Sequence, residues 1–192
     1  MHRITIVALV AVACVWLSAC GRTYSPRPYG YFRIDLPEHE YVRFDSAGFP
    51  FAFECPVYGR VVPDDDADAE KYWINVSFPR FRCKIHMTYK PISGNFDEVM
   101  EDSRRLVYKH TIKADAIGET FYENPASRVY GILYEIKGNA ATPLQFALTD
   151  SVRHLFRGSL YFDCIPNKDS LAPVVSFLDD DIAHIMETLI WK

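Results

Sequence analysis

The chain has 192 residues, 49% of them hydrophobic and 15% aromatic, with a formal net charge of −4. That length holds one ordinary domain with a real core, and the mildly acidic balance argues against nucleic acid as a partner. The abundance of Tyr and Phe favours sheet.

The first element is a signal. A basic start, His2 and Arg3, leads into an apolar run from Ile4 to Trp16 that closes on Leu17-Ser18-Ala19-Cys20. Branched apolar, small, small, Cys is the pattern read by the bacterial lipoprotein signal peptidase; the alternative is an ordinary secretory signal with a chance cysteine. The run is about 13 residues, short of the ~20 that a spanning helix needs. Residues 1–19 are thus expected to be removed, leaving Cys20 lipidated on its thiol and acylated on its new amino group. One acyl chain binds a bilayer only marginally, whereas two or three, at ~0.8 kcal/mol per buried methylene, hold firmly. Residues 20–29 read as a short polar tether with two prolines, and residues 30–192 as a single folded domain.

That domain opens with short aromatic runs, Tyr31–Asp35, Tyr41–Asp45 and Phe51–Glu54, which read as strands between turn signals at Pro37, Gly48 and Pro56. An acidic loop (63–70) follows, then an alternating strand Tyr72–Phe78. The clearest period-2 pattern is Arg80–Lys90. Phe81, Cys83, Ile85, Met87 and Tyr89 point one way, and Arg80, Arg82, Lys84, His86 and Lys90 the other. A helix is predicted from Asn95 or Asp97 to about Thr111, with Phe96, Val99, Met100, Ser103, Leu106 and Val107 inward. A meander of four strands follows (117–122, 128–136, 144–149, 154–163). The last helix starts near Ser170 as N-cap, with Pro173 in its first turn. Its inner stripe is Leu171, Val174, Val175, Leu178, Ile182, Ile185, Met186 and Leu189, and Asp179, Asp180 and Asp181 are placed on or near its solvent side. Strands punctuated by helices predict an α+β fold with an antiparallel sheet and two main helices, in outline like the PsbP/Mog1-type α/β/α sandwich, a likeness of shape that carries no activity.

Motifs for chemistry are few. Asp64, Asp66, Asp68 and Glu70 superficially resemble a calcium loop, but the glycine and distal glutamate of an EF-hand are missing, so a solvated turn is the better reading. The histidines form no metal-ligand spacing, and no nucleophile motif or phosphate loop is present. No catalytic residue, metal site or cofactor is assigned. Cys55, Cys83 and Cys164 remain beyond the signal. The compartment permits a disulfide and Cys55–Cys83 could bridge neighbouring strands, but buried thiols acting as small hydrophobes are favoured. Trp73 and Trp191 could form a sugar platform, though scattered strand aromatics are more often core. The feature with most edge is the basic stripe Arg80, Arg82, Lys84, His86 and Lys90, spaced every ~6–7 Å along a strand. It suits an anionic partner; its bland counterpart is a solvent face paired with acids on adjacent strands.

Long segments carry a resemblance: GYFRIDLPEHEYVRFD (30–45), KYWINVSFPRFRCKIHMTYK (71–90), YKHTIKADAI (108–117), Val129–Phe162 and Pro166–Lys192. Together they resemble the gliding motility lipoprotein GldD family of the Bacteroidota. The resemblance implies a noncatalytic, lipid-anchored envelope protein that supports gliding and the associated type IX secretion through protein contacts, with components of that machinery as partners. It carries over one residue, the lipidated Cys20. Surface lipoproteins of these bacteria resemble one another in an acidic run after the lipid cysteine; Gly21, Arg22 and Thr23 stand here instead, so the expected location is the outer membrane, facing the periplasm. The alternative function is a periplasmic binder of a small ligand or an envelope glycan, which requires a deep pocket or an exposed aromatic row.

Overall fold

The computed structural model describes residues 33–109 and 114–192. Cys20, the tether and the aromatic pair Tyr31-Phe32 lie outside them. The elements in order are β1 (Tyr41–Phe44), β2 (Phe51–Pro56), β3 (Arg60–Pro63), β4 (Ile74–Phe78), a 3-10 turn (Pro79–Phe81) and β5 (Cys83–Pro91). After these come α1 (Phe96–Tyr108), β6 (Ala114–Asn124), β7 (Val129–Gly138), β8 (Leu144–Thr149), β9 (His154–Phe162), α2 (Lys168–Thr188) and β10 (Ile190–Trp191). The expected α+β architecture with an antiparallel sheet and two main helices is what the chain adopts. β3-β4-β5-β9-β8-β7-β6 form one seven-stranded sheet, and β1-β2-β10 a smaller one. Every pairing is antiparallel.

Alternation divides the large sheet into two faces. Val76, Ile85, Met87, Phe146, Phe156 and Leu160 enter one core with Phe51 and Phe53 of β2 and with Val174, Leu178, Ile182 and Ile185 of α2. On the opposite face Ile92, Ala147 and Leu155 receive Phe96, Val99 and Met100 of α1. Val107 of α1 joins Tyr134 and Ile136 of β7. The result is a helix, sheet, helix sandwich. The main core is aromatic, with the Phe51 and Phe156 ring centres 4.4 Å apart, at the close limit of ring-pair packing. Two sheet glycines are demanded by this packing: a Cβ on Gly158 would run into the Phe146 ring, and one on Gly131 into the Ala147 carbonyl.

Several local expectations change. Residues 33–40 carry no strand. The run Arg80–Lys90 is not one strand: Pro79 starts the 3-10 turn, Arg82 ends it in a left-handed conformation (φ 51°), and the strand begins at Cys83. Proline lacks the ladder N–H that a continuous strand would require there. Helix α2 begins earlier than predicted, because the Asn167 side chain, not Ser170, accepts the capping bond, from the Ser170 N–H at 3.3 Å. Pro173 consequently lies inside the helix and not in its first turn. Asp181 is not on the solvent side: it is 0% exposed.

A candidate contact face and a buried carboxyl cluster

Beyond the turn, the basic stripe is a strand face. Lys84 and His86 alternate with Cys83, Ile85 and Met87, which are buried on the other side. Across the sheet Lys84 is flanked by Ser77 and Tyr161, and His86 by Asn75 and Ser159. Burial, then the neighbouring Lys84 charge, holds the His86 pKa below its ordinary value, so His86 adds a polar group and not a second cation at neutral pH. Its Nδ1 lies 3.9 Å from Asp64. Lys90 is exposed at the far end of β5, opposite Leu155. The two arginines stand apart from this ladder. Arg80 donates to the Asp35 carbonyl, while Arg82 pairs with Asp163 at 3.3 Å and donates to its carbonyl at 3.1 Å. Both partners of that pair are well exposed, so it is worth little to stability.

What the fold brings together is therefore narrower than the stripe. Arg82 and Lys84 line an open depression of about 490 Å³ with Ser77, Tyr161 and Asp163. Further along the same face, Arg157 of β9, opposite Thr88, adds a cation that the reading of β5 alone misses. Arg157 is half-buried, and Ser103 and Leu106 of α1 share a small cavity with it. Its Nε has no hydrogen-bond partner among the described residues. Alternation in HLFRGSLYF placed Arg157 on that face; it needed pairing to β5 to acquire meaning.

A second cluster was invisible as a motif. Asp181 Oδ1 accepts from the Tyr41 hydroxyl at 3.0 Å and contacts His39 Nδ1 at 2.8 Å, and Oδ2 accepts from the Tyr58 hydroxyl at 2.5 Å. His39 stacks on Phe177 with ring centres 4.3 Å apart, and Tyr41 on His184 at 3.6 Å. His184 Nε2 reaches Glu54 Oε2 at 2.7 Å. The backbone N–H of Glu54 donates to Thr188, whose hydroxyl donates to the His184 carbonyl. Burial and the charge of Asp181 push the pKa values of Tyr41 and Tyr58 well above the usual phenol range, so both stay donors. The cluster ties residues 39–58 to the middle of α2. Among the described residues no group of three metal-ligating side chains gathers.

Among the described residues Cys55, Cys83 and Cys164 are free thiols. Cys55 and Cys83 belong to different sheets, so they do not bridge neighbouring strands, and burial pushes each thiol up to about 12, which keeps them protonated packing groups. Cys164 is exposed. Trp73 and Trp191 share no platform: each is half-buried, with its indole N–H donating to the Tyr89 and the Arg128 carbonyl respectively. Asp64 and Asp66 in the acidic loop accept from the backbone N–H two residues on, as in ordinary Asx turns.

No helix among the described residues is long and apolar enough to cross a membrane. No curated protein matches the chain. Among solved structures it is similar to cyanobacterial PsbP (CyanoP) from Synechocystis sp. PCC 6803, with 10% identity over 84% of this chain and 98% of that one, at a TM-score of 0.48. The family model described as gliding motility lipoprotein GldD matches residues 21–191. That span takes in both helices and both sheets, and the chain belongs to the GldD gliding motility lipoprotein family.

Proposed function

We propose that this chain works by contact and not by turnover, as an envelope lipoprotein held through an acylated Cys20. It stands on the periplasmic side of the outer membrane and supports gliding or the associated type IX secretion by binding other components of that machinery. The observation that carries the reading is the open depression beside Arg82 and Lys84. There a basic, polar sheet face meets solvent beyond the reach of α1, whose packing partners Ile92, Ala147 and Leu155 lie toward the other end of β5 and β9. Two cations at the start of β5, Lys84 on the strand and Arg82 in the turn before it, suit an acidic protein surface and steer association with it. A noncatalytic role is supported by the cluster around Asp181, where the polar groups drawn together are occupied with one another and the carboxyl is closed to solvent.

The test is charge reversal. The full-length lipidated chain carrying Arg82→Glu and Lys84→Glu is expressed in a gliding host lacking its own copy, and envelopes are crosslinked and fractionated. Recovery of machinery components should fall several-fold while the melting temperature holds, since Arg82 is exposed and Lys84 half-exposed beside an open depression. Unchanged recovery ends the assignment of this face. A Cys20→Ser chain that still sediments with membranes and restores gliding ends the assignment of the anchor.

A further inference from the structure

Along the first three turns of α2 lies a groove of about 430 Å³, walled on the other side by the end of β7 and the loop to β8. Its lining is chiefly apolar, with Ala140, Pro143 and Leu144 facing Leu171 and Val175. Among the described residues no aromatic side chain lines it, so these offer no stacking surface for a sugar. Three acidic side chains, Glu135 of β7 and Asp169 and Asp179 of α2, and two lysines, Lys137 and Lys168, also line it, with Glu135 and Asp179 the acids that sense one another. These two are close enough that the Glu135 charge, after burial itself, raises the Asp179 pKa above its ordinary value. Asp179 Oδ1 is buried and has no hydrogen-bond partner among the described residues.

The two lysines leave Asp179 without a cation of its own. Lys137 lies 3.8 Å from Glu135 but is 68% exposed, and Lys168 is committed to Asp115 at 2.7 Å. Asp179 is half-buried, and a carboxylate oxygen that meets no donor is a poor arrangement for a finished protein. It becomes a good one when a donor arrives. Apolar walls leading to paired acids describe the complement of a long alkyl stem that ends in a positive charge.

We propose that the groove receives a lysine side chain from an extended segment of a partner protein. The stem lies along Leu144, Leu171 and Val175, and the ammonium sits between Asp179 and Glu135. Lysine fits better than arginine because a compact ammonium with three donors can serve two carboxylates at once, whereas a guanidinium fork is matched to one. The groove is longer than one side chain, so apolar neighbours of that lysine enter with it. This deepens the reading of the chain as an interaction protein and rests on it, but it uses a different face from Arg82 and Lys84.

The full-length chain in detergent is titrated with a fluorescein-labelled acetyl-Gly-Leu-Lys-Val-Gly-amide peptide and with versions carrying norleucine or arginine in place of lysine. Anisotropy should show the lysine peptide binding at least about tenfold more tightly than the norleucine peptide, with the difference lost in Asp179→Asn and in Glu135→Gln. Equal binding of lysine and norleucine peptides overturns the proposal, as does displacement of the lysine peptide by palmitate at equal concentration, which would make the groove an acyl-chain site. Tighter binding of the arginine peptide overturns the choice of lysine. Arg82→Glu/Lys84→Glu should bind the lysine peptide as the parent does. If that variant loses the machinery while the peptide still binds, the groove stands. If the peptide fails while the machinery is still captured through the basic face, the groove alone falls.

Discussion

Asp179 and Asp181 sit two residues apart on one helix and live in opposite circumstances. Asp181 has no exposed surface, yet each oxygen is met by a phenol and one also by His39. Asp179 is only half-buried, yet one of its oxygens meets nothing. Burial alone therefore does not distinguish a structural carboxyl from one held for a visitor; the donor inventory does. The two positions divide the helix into a side closed by residues 39–58 and a side left open as a groove.

The largest expected effect is on the closed side. Asp181→Ala strips Tyr41, Tyr58 and His39 of a shared acceptor and leaves a void among aromatic rings. A loss of about 3–5 kcal/mol in urea unfolding is expected, in line with breaking buried charged networks. A cost under about 1 kcal/mol would place Asp181 among ordinary surface acids and erase the contrast with Asp179.

Tyr58→Phe is the milder version, removing the donor to Oδ2 while keeping the ring against Phe78 and Phe177. The expected cost is about 1.5–3 kcal/mol, typical of a hydrogen bond to a charged group. It also carries a pH signature. The folded-state pKa of each phenol lies above the unfolded value near 10, so their stabilising contribution is full below pH 10 and is lost as pH rises above it, where the unfolded chain sheds protons first. Melts between pH 8 and 11 should show a fall in stability above pH 10 that is shallower in Tyr58→Phe. Parallel curves would mean that the phenol does not sense Asp181.

The sequence already held part of this contrast. Helix periodicity puts Asp181 seven residues after Val174 and four before Ile185, squarely on the apolar stripe, so an acid there announced a buried partner. The triplet Asp179-Asp180-Asp181 masked it, because a run of acids reads as a solvated face. Its donors His39, Tyr41 and Tyr58 come from more than a hundred residues away, and no local pattern supplies that. Strands such as Leu144–Thr149 and the buried side of β5 were legible because period-2 alternation is a property of one strand. The two-residue strand Ile190–Trp191 was not, because it exists only by pairing with Phe51 and Ala52. The basic stripe was half legible: its strand portion follows from alternation, whereas the displacement of Arg80 and Arg82 depends on how Pro79 turns the chain before β5. The groove had no sequence signature at all, since its walls belong to two elements that meet only in the fold.

The smallest effect has the most informative sign. Asp179 has a raised pKa, so the folded protein holds that proton more tightly than the unfolded chain does. The favourable side of this linkage is present below the ordinary carboxyl value of 3.8 and is lost as pH rises through the folded pKa, above which the charge of Asp179 counts against the fold. Asp179→Asn removes that charge and keeps the shape, so at pH 7 it should raise the melting temperature by about 1–3 °C, equivalent to a gain of under about 1 kcal/mol. The same change should weaken the lysine peptide. A residue that costs stability when the groove is empty and contributes affinity when it is filled has the profile of a binding group. If Asp179→Asn instead lowers the melting temperature by as much as Tyr58→Phe does, Asp179 is a structural acid like Asp181, and the two sides of α2 differ in exposure alone.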